Sequence, residues 1–199
     1  MADLVSICNM ALGLLSQERI TDLDDESNVT AGYCRTFLPI ARDSVLEDGK
    51  WAFATKRVIL QLHETTPPFD WGYQYILPAD FIAVQQVNDS DEVEYAVEMS
   101  DGQRVLLCDL DTEVYLKYTY RNLLSGHWSP LFAEALACKL AMYLNNAVGS
   151  GAATKLKVVA ELYDVALRKA KNSQGRQGYK SSEKTSSWTL SRRTTTEET

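Results

Sequence analysis

Two histidines, His63 and His127, are the side chains best suited to moving protons near neutral pH. Neither has a Ser, a Cys or a carboxylate at a spacing used for nucleophilic catalysis, so both read as exposed or locally satisfied groups. Cys8, Cys34, Cys108 and Cys138 lie far apart and include no Cys-x-x-Cys or Cys/His ligand spacing. Three of them, Cys8, Cys34 and Cys138, fall on or beside apolar helix positions and suit reduced, buried thiols of a protein made in a cytoplasm. The run Asp22-Leu23-Asp24-Asp25-Glu26 imitates a metal loop, but without a matching Gly or a second ligand group it reads as loop and helix N-terminal charge. Asn88-Asp89-Ser90-Asp91 lacks the Gly and the distal Glu of a calcium loop. Gly149-Ser150-Gly151 stands between helical patterns rather than after a strand, which argues against a phosphate cradle. The expectation is a protein with no catalytic residue, no metal and no cofactor.

The chain has 199 residues, room for one domain with a sizeable core or two small ones, and its apolar share of 45 % is ordinary. A formal net charge of -7 argues against a general nucleic-acid binder, because affinity for phosphate backbones comes from clustered Lys and Arg. Residues 88–113 concentrate Asp89, Asp91, Glu92, Glu94, Glu98, Asp101, Asp109, Asp111 and Glu113 against Arg104 alone. That stretch reads as a solvated acidic face, or as a surface past which DNA can slide without sticking. Met1-Ala2-Asp3-Leu4 has neither the basic start nor the long apolar run of a signal peptide, and no stretch approaches the roughly 20 apolar residues of a membrane span. A soluble protein is expected.

The elements that must carry these residues follow from periodicity. Leu4, Ile7, Ala11, Leu14 and Leu15 recur at helical spacing behind Asp3, predicting a helix over residues 3–16. Ser27 is a candidate cap for a second helix that ends near Asp48 and Gly49, with Val29, Tyr33, Phe37, Ile40 or Ala41, Ser44 and Val45 as its apolar stripe and Pro39 as a kink. From Thr55 the period becomes two. Segments 57–62, 73–77, 81–87, 93–97, 104–108 and 114–120 read as strands, and Ser100-Asp101-Gly102-Gln103 as a hairpin turn. Ser129-Pro130 then starts a helix with Leu131, Phe132, Ala135, Leu136, Leu140, Tyr143 and Leu144 on its apolar side. A fourth helix over 154–172 carries Leu156, Val159, Leu162, Tyr163, Ala166, Leu167 and Ala170.

These elements predict an α+β fold: a four-helix bundle-like α domain interrupted by an antiparallel β-sheet or sandwich insertion, with a disordered or extended C-terminal tail. The expected boundaries are 1–54 and 123–172 for the two parts of the helical domain, 55–122 for the β domain and 173–199 for the tail. The tail is rich in Ser, Thr, Gly, Lys and Arg, and too poor in apolar surface to offset the entropy of ordering it alone. Its few large or doubly charged features, Tyr179, Trp188, Leu190, Arg192 and Arg193, are candidates for docking on a partner.

With the junctions placed, the chain resembles the tail tubular protein A family, the head-to-tail adaptors of short-tailed phages. The resemblance covers about residues 1–172 and rests on the order of Ile20-Thr21-Asp22-Leu23-Asp24-Asp25, Trp51-x-Phe53-Ala54-x-Lys56-Arg57, Tyr75-x-Leu77-Pro78-Ala79-Asp80, Val114-Tyr115-Leu116-Lys117-Tyr118 and Trp128-x-Pro130-Leu131-Phe132-x-Glu134-Ala135-Leu136 followed by Leu140-Ala141. It implies a homo-oligomeric ring, typically of twelve copies, between the portal protein above and the tail nozzle or tube below. DNA would pass through the centre without specific binding, no membrane would be involved, and the protein would reside in the neck of the virion. The C-terminal segment of such adaptors reaches the portal, and the Ser/Thr-rich tail here is longer than in the shorter members.

Two features leave a second function class open. Trp51, Phe53, Tyr73, Tyr75 and Trp128 suit the seam between bundle and sheet, but such rings also form carbohydrate-stacking platforms. Carboxylate pairs such as Glu18 with Asp22, or Glu92 with Glu94, are of the type that hydrolyses glycosidic bonds, as in a tail-associated peptidoglycan hydrolase. A turbidity assay on purified peptidoglycan separates that class from a purely structural role. A phage tail accessory protein of another kind is the third possibility.

Overall fold

The computed structural model describes residues 3–88, 93–148 and 151–177, with side chains described as far as residue 173. The fold is α+β, with four helices and two antiparallel sheets among the described residues. Helix α1 spans Leu4–Leu14 and α2 spans Val29–Glu47. Asn28, not Ser27, caps α2: its side-chain oxygen accepts the Ala31 N–H at 3.2 Å, while the Ser27 hydroxyl donates to Asp25 at 2.6 Å. Pro39 lies inside α2 on its solvent side, and the helix continues through it.

The third helix, α3 (Pro130–Leu144), starts as its residues dictate, with Ser129 accepting the Phe132 N–H and Pro130 at the first turn. Its buried positions run almost all the way round, including Phe132, Ala133, Leu136, Ala137, Leu140 and Leu144, so it is the central rod of the helical unit. It packs against α1, α2 and the last helix, α4 (Ala153–Gln177). Helix α4 continues five residues beyond the expected end at Asn172, because Ser173-Gln174-Gly175-Arg176-Gln177 extends the turns with a single Gly as the weak link. Lys155 of α4 reaches back to the carbonyl of Leu15 at 2.9 Å, a cationic cap on the open C-terminal end of α1.

Between α2 and α3 the described residues form seven strands: β1 (Thr55–Ile59), β2 (Gln61–Leu62), β3 (Tyr73–Ile76), β4 (Phe81–Val87), β5 (Ala96–Ser100), β6 (Gln103–Cys108) and β7 (Tyr115–Tyr120). They form two antiparallel sheets with strand orders β1-β7-β4 and β2-β3-β6-β5. Leu60, Tyr75, Leu77, Phe81, Val87, Leu106, Cys108, Val114, Leu116 and Tyr118 fill the space between them, which makes the insertion a small sandwich. The expected strand 57–62 breaks at Leu60, whose N–H turns to the Val114 carbonyl at 2.8 Å; the chain changes sheets there and pairs Gln61 with Ile76. Segment 93–97 also shifts. Asp101 (φ 49°) and Gly102 (φ 78°) form a two-residue turn of the mirror-image type, which fixes Ser100 opposite Gln103 and places β5 at 96–100.

No helix among the described residues is long and apolar enough to cross a membrane.

Candidate functional site

The residues that could carry catalysis are scattered. The His63 ring accepts the Thr65 N–H at 3.2 Å through Nδ1, with the Thr65 hydroxyl and the buried Gln74 amide also within reach, so it serves as a turn-local acceptor. His127 sits exposed in a short 3-10 turn ahead of α3. Among the described residues, no group of three or more His, Cys, Asp or Glu gathers as a metal site. Glu18, Asp22 and Glu94 are exposed. Glu92, the other half of the second carboxylate pair, lies outside the described residues, as do Asp89, Asp91, Gly149 and Ser150. All four cysteines are buried free thiols. Contact with Cys34, then burial, push the Cys8 thiol far above its ordinary range.

What the sequence motifs build instead is the joint between bundle and sandwich. An insertion into a helical unit must leave and return at neighbouring points, and β1 and β7 do this by pairing with Thr55 opposite Thr119. At that mouth the Lys56 ammonium meets the Asp80 carboxylate at 2.6 Å and lies 4.1 Å from the centre of the Tyr120 ring. The Tyr118 hydroxyl donates to the other Asp80 oxygen at 3.0 Å, and the Arg121 N–H donates to the Asp80 carbonyl at 2.7 Å. Burial raises the Asp80 carboxyl, but the Lys56 and Tyr118 hydrogen bonds outweigh it and hold the group below its ordinary value. Burial, followed by the bond to Asp80, pushes the Tyr118 hydroxyl well up. Arg121 also pairs with Asp43 of α2 at 2.8 Å, tying the exit strand to the bundle.

Below this polar node lies an aromatic one. Trp51 and Phe53 each meet the Phe132 ring edge-on at 4.9 Å, and Trp128 meets it at 5.4 Å. The Trp51 indole N–H donates to the Val45 carbonyl at 2.9 Å, which locks the ring beneath the end of α2. The expected five-ring seam is therefore corrected. Trp51, Phe53 and Trp128 belong to it with Phe132 as hub, whereas Tyr73 and Tyr75 pack inside the sandwich. Sequence reading placed Phe132 on the core face of α3 but missed its central position, which only the tertiary crossing of 51–53 and 128–132 reveals.

The apolar stripes also depart from expectation. The inward face of α2 is Ala31, Cys34, Leu38, Ala41, Val45 and Leu46. Val29, Tyr33 and Ile40, read as its core stripe, face outward, with Val29 71 % and Ile40 52 % exposed. Of the expected stripe, Val45 and Ala41, the alternative to Ile40, are buried, and Phe37 is partly drawn in, stacking on Tyr143 at 6.1 Å. On α4 the core face is Val159, Tyr163, Ala166 and Ala170, and Leu162 moves to a second, exposed row with Val158 and Val165, each 42–51 % exposed. Helical rows three and four residues apart share a face, so each of these two helices carries one apolar row for its own core and another that stays about half exposed among the described residues.

A cleft of about 770 Å³ opens where the end of α2 and α4 overlook the outer face of sheet β1-β7-β4. Lys50, Arg57, Lys117 and Lys171 line it together with Glu47 and Asp48. Its floor is ordered by the buried Gln85, whose amide donates at 2.9 Å to both the Thr55 and the Thr119 hydroxyl. Asp48 is already engaged: it accepts the Tyr163 hydroxyl and lies 3.6 Å from the Lys139 ammonium.

Tyr179, Trp188, Leu190, Arg192 and Arg193 lie outside the described residues. Neither a family model nor a curated protein matches this chain.

Proposed function

We propose that this chain is a head-to-tail adaptor of a short-tailed phage, a ring-forming subunit that sits between portal and tail nozzle and surrounds the path of the DNA. The observation that carries the proposal is the pair of partly exposed apolar rows on two different helices, Val29, Tyr33 and Ile40 on α2 and Val158, Leu162 and Val165 on α4. A closed ring needs heterologous contacts, one face of a subunit meeting a different face of the next, and two unlike apolar faces on one subunit meet that requirement. The resemblance of the motif order to tail tubular proteins points the same way, and it is the basis for a copy number near twelve. The rigid joint built from Lys56, Asp80, Tyr118 and the Trp51–Phe132 cluster suits a part whose work is to hold two bodies at a fixed angle. Exposed carboxylates such as Glu94, Glu98, Asp101 and Asp111 would keep passing DNA from adhering. The tail carrying Tyr179, Trp188, Leu190, Arg192 and Arg193 would dock on the portal.

The test is native mass measurement of the full chain alone and after mixing with a portal ring, followed by electron microscopy of the complex. An annulus of adaptor subunits below the portal is expected, and it should be lost from a Val158→Ser, Leu162→Ser, Val165→Ser variant that keeps its helical circular dichroism. Truncation should begin at residue 178, since removal from 173 cuts into α4. Portal complexes that contain no annulus, or a triple variant that assembles as well as the parent, would refute the proposal.

A further inference from the structure

The four cations of the cleft are poorly explained by the fold that displays them. Arg57 and Lys117 stand directly opposite each other on β1 and β7, an arrangement of like charges that costs sheet stability. Neither forms an ion pair among the described residues, and nor does Lys171; the Lys50 ammonium donates to the Gln85 carbonyl at 3.3 Å. Of the two carboxylates at the cleft, Asp48 is occupied by Tyr163 and Lys139, leaving Glu47 as the one local counter-charge. A surplus of positive charge is thus held in a concave site on a chain whose net charge is -7.

The complementary feature lies at the other end of the same helix. The loop before α2 carries Asp22, Asp24, Asp25 and Glu26. Asp25 is turned inward onto Ser27, and Asp22 accepts the Asp24 N–H at 3.0 Å, but Asp22, Asp24 and Glu26 are exposed and form no ion pair among the described residues. The loop precedes Val29 and the cleft begins at Glu47, so the 19 residues of α2 separate them. At the rise of an α-helix that is about 28 Å, too far for the two charges to meet within one molecule.

We propose that the cleft lined by Lys50, Arg57, Lys117 and Lys171 receives the acidic loop 22–26 of a second copy of this chain. The inference rests on the ring proposed above and deepens it, because a loop at one end of α2 entering a cleft at the other is a head-to-tail contact that repeats from copy to copy, the kind of contact a ring is built from. Three exposed carboxylates without an ion pair among the described residues match the cleft's surplus. Duplex DNA would need a longer basic track than four cations beside Glu47 provide.

Zero-length carbodiimide coupling of the full chain at high concentration and low salt tests this, with crosslinks located by mass spectrometry. Crosslinks from Lys50, Lys117 or Lys171 to Asp22, Asp24 or Glu26 are expected in a dimer or larger band, intermolecular by distance. They should fall at least tenfold in an Arg57→Glu, Lys117→Glu variant and in an Asp22→Lys, Asp24→Lys, Glu26→Lys variant, each checked for an unchanged melting profile. An equimolar mixture of the two variants should associate again, since each reversed cleft then meets a reversed loop. If no loop-to-cleft crosslink forms, or the charge-reversed variants assemble like the parent, the inference is overturned while the apolar ring contacts stand. Binding of a short DNA duplex that depends on Arg57 and Lys117 would overturn it in favour of a phosphate site. Absence of an annulus on the portal, with the loop-to-cleft crosslink present, would count against the ring and not against this contact.

Discussion

Lys56 and Asp80, 24 positions apart in the chain, meet at 2.6 Å across the mouth of the β insertion. The pair joins the strand that enters the sandwich to the turn that leads into β4, and Tyr118 of the returning strand completes it. It sits where any change of angle between bundle and sandwich would have to begin.

Acid should loosen this joint. The Asp80 carboxyl is held below its ordinary value of 3.8, so it binds protons less readily folded than unfolded. A depressed carboxyl contributes stability that is present above its unfolded value and lost as pH falls through the folded one. An Asp80→Asn variant should therefore show a flatter loss of stability below about pH 4 than the parent, and a deficit at neutral pH of no more than about 1 kcal/mol, since both partners are partly solvated. Urea titrations across pH 2–7 measure both.

The aromatic hub should be far more sensitive. Phe132 is fully buried and touches Trp51, Phe53 and Trp128, so truncation leaves a cavity that three rigid rings cannot close. Phe132→Ala should cost about 3–5 kcal/mol and Phe132→Leu distinctly less, measured by chemical denaturation. The α2 end should register the loss as well. Trp51 is fixed there through Val45, and amide exchange at residues 45–54 should rise in step.

Much of the architecture was legible because periodicity and punctuation agreed. Ser129-Pro130 started α3, Asp101-Gly102 closed the β5–β6 hairpin, and the return of helical spacing after Tyr120 marked the β segment as an insertion. Legibility failed where packing chose among equally apolar rows. Val29, Tyr33 and Ile40 are as hydrophobic as Ala31, Leu38 and Ala41, and only contact with α3 determines which row turns inward. The cleft was hidden for a different reason. Arg57 and Lys117 are 60 positions apart in sequence and become neighbours only through the β1–β7 register.

Gly102 offers a local test of that punctuation. Its φ of 78° lies where a side chain strains the backbone, although a Cβ at this position would stand in open space. Gly102→Ala should therefore cost about 1 kcal/mol from backbone strain alone. Faster amide exchange should be confined to β5 and β6, with the helical unit unaffected.

The outward row of α2 separates two accounts of the same residues. If Val29, Tyr33 and Ile40 served the monomer core, as their spacing suggests, replacing Tyr33 and Ile40 by Ser would cost several kcal/mol in the isolated chain. Their exposure says otherwise: with Ile40 52 % and Tyr33 37 % exposed, each replacement should change monomer stability by no more than about 1 kcal/mol. The effect should appear only on association, as a loss of ring formation seen by native mass measurement while the melting temperature of the dilute protein holds. A Leu38→Ser control, which strikes the buried row, should reverse the pattern and lower the melting temperature first.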